Sequence, residues 1–158
     1  MEKRLSGELL NRLAALAPAE ADALLAEQTP LAAGVIAQLA DAALAFADRN
    51  AGATAAWLAL AERTAVQMTL DDGTAGLLLY AQARQALVAG EMATAEQRLA
   101  AARSHWEQAG DTLMLARSGL GLTQILAMQG RYAEAEPLIR QALAIFSAAG
   151  DDYTMQAL

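Results

Sequence analysis

The sequence of 158 residues contains no cysteine, one histidine and only three prolines. Without cysteine the chain has no disulfide, no thiolate metal site and no cysteine nucleophile. A zinc site needs three or four ligands, so a single histidine leaves this chemistry without its usual donors. We therefore expect no metal and no cofactor.

Aromatic residues are also scarce, at 4% of the chain, although hydrophobic residues make up 56%. Much of this apolar content is alanine, which is the best helix former and is depleted in strands. Small side chains let backbones approach closely. The composition therefore predicts an all-α protein with closely packed helices.

Basic residues are outnumbered, with 11 Lys and Arg against 18 Asp and Glu and a net charge of −7. This balance argues against a nucleic-acid groove, which needs clustered basic side chains. Polar residues interrupt every apolar stretch before it reaches membrane-spanning length, and the opening MEKRLSGELL lacks the apolar core of a signal peptide. The expectation is a cytoplasmic protein without nucleic-acid or membrane partners.

The second half of the chain contains an internal repeat. The stretch GEMATAEQRLAAARSHWEQAGD at 90–111 returns 40 residues later as GRYAEAEPLIRQALAIFSAAGD at 130–151. Asp71 precedes Asp111 by the same 40 residues, which extends the period to a third unit. A period of this length, with apolar residues at helical spacing, is typical of stacked helix pairs.

Each unit is predicted to contain two antiparallel helices. We expect units at 29–70, 71–110 and 111–150, followed by the start of a further unit at 151–158. The expected helices are 30–48 and 54–69 in the first unit, 75–88 and 93–108 in the second, and 113–128 and 132–148 in the third. In the last pair the predicted buried residues are Leu115, Leu122, Ile125, Leu126, Leu138, Ile139, Ala142, Ile145 and Phe146.

Helix boundaries follow from local signals. Gly90 and Gly130 fit left-handed positions after a helix, and Asn50 is predicted to fill the same role in the first unit. Asp71, Asp111 and Asp151 are interpreted as N-caps rather than as calcium ligands, because the alternating oxygen ligands of a calcium loop are missing.

Two features fall outside the regular pattern. Residues 1–28 lie outside the period and are predicted to form two short helices, broken at Pro18, that cap the first unit. Pro137 falls inside a predicted helix, where we expect a local bend rather than a break.

Residues 29–158 resemble the tetratricopeptide repeats. The last unit carries Thr123 and Leu126 in its first helix, then GRYAEA at 130–135, Ile139 and Ala142 in its second. The family pattern has glycine or alanine where Thr123 stands and often tyrosine where Leu126 stands. Matching residues in the earlier units are Ala83, Ala86, Ala95, Leu99 and Ala102, then Ala43, Phe46 and Ala55. The 40-residue unit is similar to the long variant found in kinesin light chains and in bacterial effector-associated proteins.

The resemblance implies a right-handed α-solenoid of helix pairs that binds a protein or peptide on its concave face. The residues expected on that face are Tyr80, Arg84, Leu87, Val88, Arg117, Leu120, Gln124 and Met128. The two arginines suggest a partner that carries an acidic group. In the alternative interpretation, which the sequence leaves open, these side chains are merely solvated or packed within the chain.

Catalysis is not expected. His105 has Ser104 as its sequence neighbour, but adjacent helical residues point to different faces, and a catalytic histidine needs a nucleophile within reach. We interpret His105 as a surface residue. Two further functions remain open: a regulatory arm of a larger signalling or protease-like protein, as the resemblance implies, and a homodimer formed through the exposed C-terminal repeat face.

Overall fold

The computed structural model describes residues 4–28 and 32–150. In these ranges the chain is all-α, with no strand. Its helices are α1 (Gly7–Ala15), α2 (Pro18–Gln28), α3 (Ala33–Phe46), α4 (Ala51–Ala65), α5 (Asp72–Val88), α6 (Met92–Ala109), α7 (Thr112–Met128) and α8 (Tyr132–Ala149). The predicted helix start at Thr29–Pro30, the cap at Asp151 and the further unit at 151–158 lie outside the described residues.

The predicted helix pairs are confirmed as secondary structure. Both helices of the last two units begin and end within three residues of the expected positions. The most extensive contacts join α5 to α6, α7 to α8 and α3 to α4. Short connections between packed partners make each pair antiparallel. Further contacts of α3 with α5, and of α6 with α7, join one pair to the next.

Capping residues set the helix ends as predicted. The Asp71 side chain accepts a hydrogen bond from the Thr74 amide, and Asp111 accepts one from the Met114 amide. Gly90 and Gly130 adopt positive φ values of 79° and 74°. The amides of the residues that follow them return to carbonyls of the preceding helix, which closes the helix end.

Asn50 was predicted wrongly. Its φ is −147°, and no non-glycine residue of the described ranges has positive φ. The α3–α4 connection is made by turn residues 47–49, and Asn50 serves as the N-cap of α4, accepting a hydrogen bond from the Ala53 amide at 3.0 Å. Asparagine is favoured at both kinds of position, so its identity alone did not distinguish a C-terminal from an N-terminal cap.

The N-terminal helices pack against the first regular pair. Leu13 of α1 and Leu25 of α2 are buried in the same cluster as Trp57 and Leu58 of α4. The indole N–H of Trp57 donates to the Leu10 carbonyl at 2.8 Å, which satisfies the polar atom of a buried ring. Helices α1 and α2 therefore cover an apolar surface of α4 that would otherwise face water.

The second and third pairs are joined by a polar contact as well as by apolar packing. The Arg103 guanidinium of α6 donates to the Leu115 carbonyl at 2.9 Å and to the Ser118 hydroxyl at 3.2 Å. Ser118 is buried, so this contact supplies partners for a polar group inside the interface. The arginine thus holds α7 against α6.

Helix α8 shows one departure from the expected burial. Ile139 is 37% exposed, whereas Leu99, its counterpart 40 residues earlier, is 3% exposed. Leu99 packs with Ala83 of α5 and Ile125 of α7, whereas among the described residues α8 makes its extensive contacts with α7 alone. The same repeat position is therefore buried only when a second neighbouring helix covers it. The helix runs without interruption through Pro137.

The packing of α5 on α6 depends on a glycine and a tryptophan. A Cβ at Gly76 would lie 2.6 Å from Nε1 of Trp106, closer than such atoms approach in proteins. Forty residues later, buried Ala116 and Phe146 occupy the equivalent positions in one apolar cluster. A larger ring is therefore paired with glycine and a smaller ring with alanine, so that the summed side-chain volume at this contact is similar in the two helix pairs.

We expect Gly76→Ala to destabilise the protein by about 1–3 kcal/mol through overpacking, less the gain of about 1 kcal/mol in helix propensity. Adding Trp106→Phe should recover part of the loss, because this double variant recreates the pair seen at Ala116 and Phe146. Urea unfolding of the single and double variants measures this coupling.

Gly121→Ala provides the matched control for this prediction. A Cβ there would meet Leu99 at 3.5 Å, which is an ordinary contact, so this helical substitution should be neutral or stabilising. If Gly76→Ala proved as stable as Gly121→Ala, the steric explanation of Gly76 would be wrong.

Candidate functional site

A groove of about 450 Å³ lies across helices α3, α5 and α7. We call it the α3–α5–α7 groove. Its apolar lining includes Leu44 of α3, Leu77 of α5 and Met114 of α7, and Trp106 of α6 also contributes. Its polar lining comprises Asp41, Asp71, Thr74, Tyr80, Asp111 and Arg117. Apolar walls with a few placed polar groups are the usual composition of a binding cleft.

The groove is built from equivalent positions of successive repeats. Ala37, Leu77 and Arg117 are 40 residues apart in sequence and line the same groove from α3, α5 and α7. The pair Asp71 and Asp111 follows the same spacing. Packing of the repeats thus places the same repeat position of each first helix on a common surface. The side chain at that position is a methyl group in Ala37, an isobutyl group in Leu77 and a chain ending in a guanidinium in Arg117.

Two aromatic rings form part of the groove lining. Trp106 is 1% exposed, and its ring meets Tyr80 edge to face at a centroid distance of 5.6 Å. Burial raises the pKa of the Tyr80 phenol above its ordinary value, although nearby Arg84 and Arg117 oppose this shift. The phenol is therefore neutral at physiological pH and can both donate and accept a hydrogen bond.

Two carboxylates of the groove belong to helix N-caps. The Asp71 carboxylate accepts hydrogen bonds from the Thr74 amide at 2.9 Å and the Thr74 hydroxyl at 2.8 Å. The amide contact is the main reason that its pKa is lowered, so Asp71 stays ionised. The Asp111 carboxylate accepts from the Met114 amide at 3.0 Å. Each cap leaves carboxylate lone pairs that can face a ligand.

Asp41 of α3 is the third carboxylate in the groove. Partial burial raises its pKa, and the positive charge of Arg4 partly opposes this effect. Within the described residues, Asp41, Asp71 and Asp111 form no salt bridge at 4.0 Å or less. The groove therefore contains three acidic groups whose charge is not balanced by a direct ion pair in this part of the chain.

The structure brings together only part of the face predicted from sequence. Tyr80 and Arg117 line the groove. Leu87 and Leu120 pack against buried clusters instead, and Arg84 forms an ion pair with Asp48 at 3.1 Å. The other three predicted residues are exposed but do not line it: Val88, Gln124 and Met128.

Sequence reasoning missed Trp106 and Asp41 as groove residues. Trp106 belongs to the second helix of its pair, whereas all residues predicted for the concave face lie on first helices. Asp41 has Ala81 and Gly121 as its counterparts, so the period gave no sign of a carboxylate there. The 40-residue spacing of Asp71 and Asp111 is visible in the sequence, but these residues were predicted only to be helix N-caps.

His105 lies in a half-buried environment rather than fully on the surface. Its Nδ1 atom is 2.7 Å from an Asp72 carboxylate oxygen. Across the described ranges no hydroxyl group is hydrogen-bonded to His105, and exposed Ser104 contacts Gln108 instead. The histidine therefore forms a bridge between α6 and the first turn of α5.

Residues 4–28 and 32–150 contain no group of three or more acidic or histidine side chains suited to hold a metal ion. In the same ranges no helix combines the length and the apolar character needed to cross a bilayer.

Comparison with known proteins gives no neighbour: no family model, curated protein or solved structure matches the chain.

We expect Asp41→Asn to raise the free energy of unfolding near neutral pH by at most about 0.5 kcal/mol, because the side chain is still partly solvated. The folded-state pKa of Asp41 is raised, so its contribution to stability declines as pH rises from below the unfolded pKa through the folded value. The advantage of the variant should vanish below about pH 4. Urea unfolding as a function of pH tests this.

For Asp71→Asn we expect the difference in stability from the original chain to have the opposite sign and pH dependence. The lowered pKa of Asp71 contributes stability above the unfolded pKa that is lost as pH falls through the folded value. Asparagine retains the cap, so the variant should lose only this charge-dependent part. Parallel pH profiles for the two variants would contradict the assigned environments.

Proposed function

We propose that this chain is a non-catalytic scaffold that binds a peptide or a peptide-like segment of another protein in the α3–α5–α7 groove. The observation that carries the proposal is the placement of Ala37, Leu77 and Arg117 on one groove surface. A repeated position that lines a continuous cleft provides a track for a ligand with its own repeated spacing, such as an extended or helical backbone.

We also propose that the helices form a right-handed α-solenoid similar to the tetratricopeptide repeats. Support comes from the three helix pairs, from contacts between successive pairs, and from buried clusters that follow the chain order. In this arrangement the groove corresponds to the concave face, and α1 and α2 cover the first pair in the manner of a terminal cap.

The chemistry of the groove suits binding. Leu44, Leu77 and Met114 provide apolar contact area, and methionine adapts to partners of different shape. The neutral Tyr80 phenol can hydrogen-bond a peptide carbonyl or amide. Leu77, Tyr80 and Met114 are held on α5 and α7, whose N-termini are capped by aspartate side chains, so this part of the cleft is pre-formed, which lowers the entropic cost of binding.

The test is selection from a random peptide display library on the immobilised chain, followed by affinity measurement for enriched peptides. A double variant, Ala37→Gln with Met114→Gln, puts a longer polar side chain at position 37 and replaces the apolar thioether at position 114 by a polar amide of similar length, at two partly exposed positions of the groove. We expect it to bind the selected peptides at least about tenfold more weakly, equivalent to about 1.4 kcal/mol. Circular dichroism should show unchanged helicity.

Two single variants serve as controls. Val66 is 87% exposed and Met128 is 61% exposed, and neither lines the groove. Val66→Gln and Met128→Gln should therefore leave the affinity unchanged. If Met128→Gln lowered the peptide affinity and the groove variant did not, the peptides would bind on the wider face predicted from sequence and not in the groove.

A further inference from the structure

The charge of the groove is acidic, and this feature restricts the chemistry of a partner. Asp41, Asp71 and Asp111 line it, and among the described lining residues Arg117 is the only basic one. Opposite charges on the two sides of an interface steer association and set its specificity. The excess of carboxylates therefore favours a cationic partner over the acidic one expected from sequence.

The helix N-termini at the groove do not reverse this preference. The N-terminus of a helix attracts anions through its free amides and its dipole. At α5 and α7 this role is already filled, because the Asp71 and Asp111 carboxylates accept the Thr74 and Met114 amides. An acidic ligand would have to displace a side-chain carboxylate from each cap, whereas a cation can approach the remaining lone pairs of the same carboxylates.

The distribution of the carboxylates distinguishes a peptide from a metal ion. Asp41 belongs to α3, Asp71 caps α5 and Asp111 caps α7, and the described residues contain no group of three or more such side chains gathered for a metal. The acidic groups are accompanied by the apolar side chains of Leu44, Leu77 and Met114. This pattern matches a chain on which cationic and apolar side chains alternate.

We propose that the groove recognises a peptide segment in which lysine or arginine lies close to an aliphatic side chain. The inference depends on the proposed function and specifies its partner. The aliphatic group packs against Leu77 and Met114, and the cation lies against the capping carboxylates. The Asp41 carboxylate, which is exposed on α3, adds a third negative charge to the same groove.

The test compares the chain with a variant that carries Asp41→Asn, Asp71→Asn and Asp111→Asn. Asparagine is nearly isosteric with aspartate and remains a good N-cap, so the charge is removed while α5 and α7 stay capped. The matched control carries Glu20→Gln, Glu27→Gln and Glu91→Gln, which removes three exposed carboxylates that do not line the groove. Both variants change the net charge equally.

Peptides selected from the random display library by the original chain should be enriched in lysine or arginine beside leucine, isoleucine or valine. Their affinity should fall at least about tenfold in the neutralised-groove variant and change little in the control. Binding to the original chain should also weaken as ionic strength rises, because salt screens the carboxylates.

Three results would overturn the inference. If the selected peptides were not enriched in basic residues and bound the original and neutralised chains equally, the groove would not recognise charge. Binding in the groove would still be supported if the Ala37→Gln and Met114→Gln variant lost affinity for those peptides. An equal loss in the control would assign the effect to net charge. Failure of the original chain to enrich any peptide would contradict the proposed function as well.

Discussion

The contact between Trp106 and the bare backbone at Gly76 connects the stability of this protein to its groove. The indole can pack there only because position 76 has no Cβ, and its ring then meets Tyr80. The same buried side chain holds α6 against α5 and forms part of the groove lining. In the following pair, Ala116 and Phe146 divide a similar total volume differently between the two helices, but neither residue lines the groove. The repeat position occupied by Trp106 and Phe146 therefore supports helix packing in both pairs, but only Trp106 also belongs to the candidate site.

Asp41 is the carboxylate of the groove whose ionisation is disfavoured in the isolated chain, whereas that of Asp71 is favoured by its cap. Asp41 is ionised less readily than a solvated aspartate because it is partly buried. Like charges in a shared cleft also repel one another, although solvent reduces this effect. Natural proteins retain such destabilising arrangements where binding requires them. A cationic side chain in the groove would relieve both penalties, so binding affinity and the gain in stability on binding have a common electrostatic origin.

Much of the local structure was predictable because it depends on residues close in sequence. Asp71, Gly90, Asp111 and Gly130 set helix ends through contacts within a few residues, so the period in the sequence became a period in the helices. Asn50 was the exception, since asparagine suits either end of a helix and the length of the α3–α4 connection decided between them. Ile139 was predicted to be buried from its helical spacing, but within the described residues only α7 makes extensive contact with α8, and Ile139 stays exposed.

The candidate site was less predictable than the helices, because membership of a groove depends on how separate helices pack. Tyr80 and Arg117 were found from their repeat positions, but Arg84 at an equally plausible position is engaged by Asp48, 36 residues away. Trp106 became part of the site through its contact with Tyr80 from another helix. The all-α class, the 40-residue period and the helix caps were determined by the sequence itself, through local hydrogen bonding and apolar spacing. Only the tertiary structure decided which side chains line the cleft and which charges remain there, because burial and ion pairing are properties of neighbouring helices together.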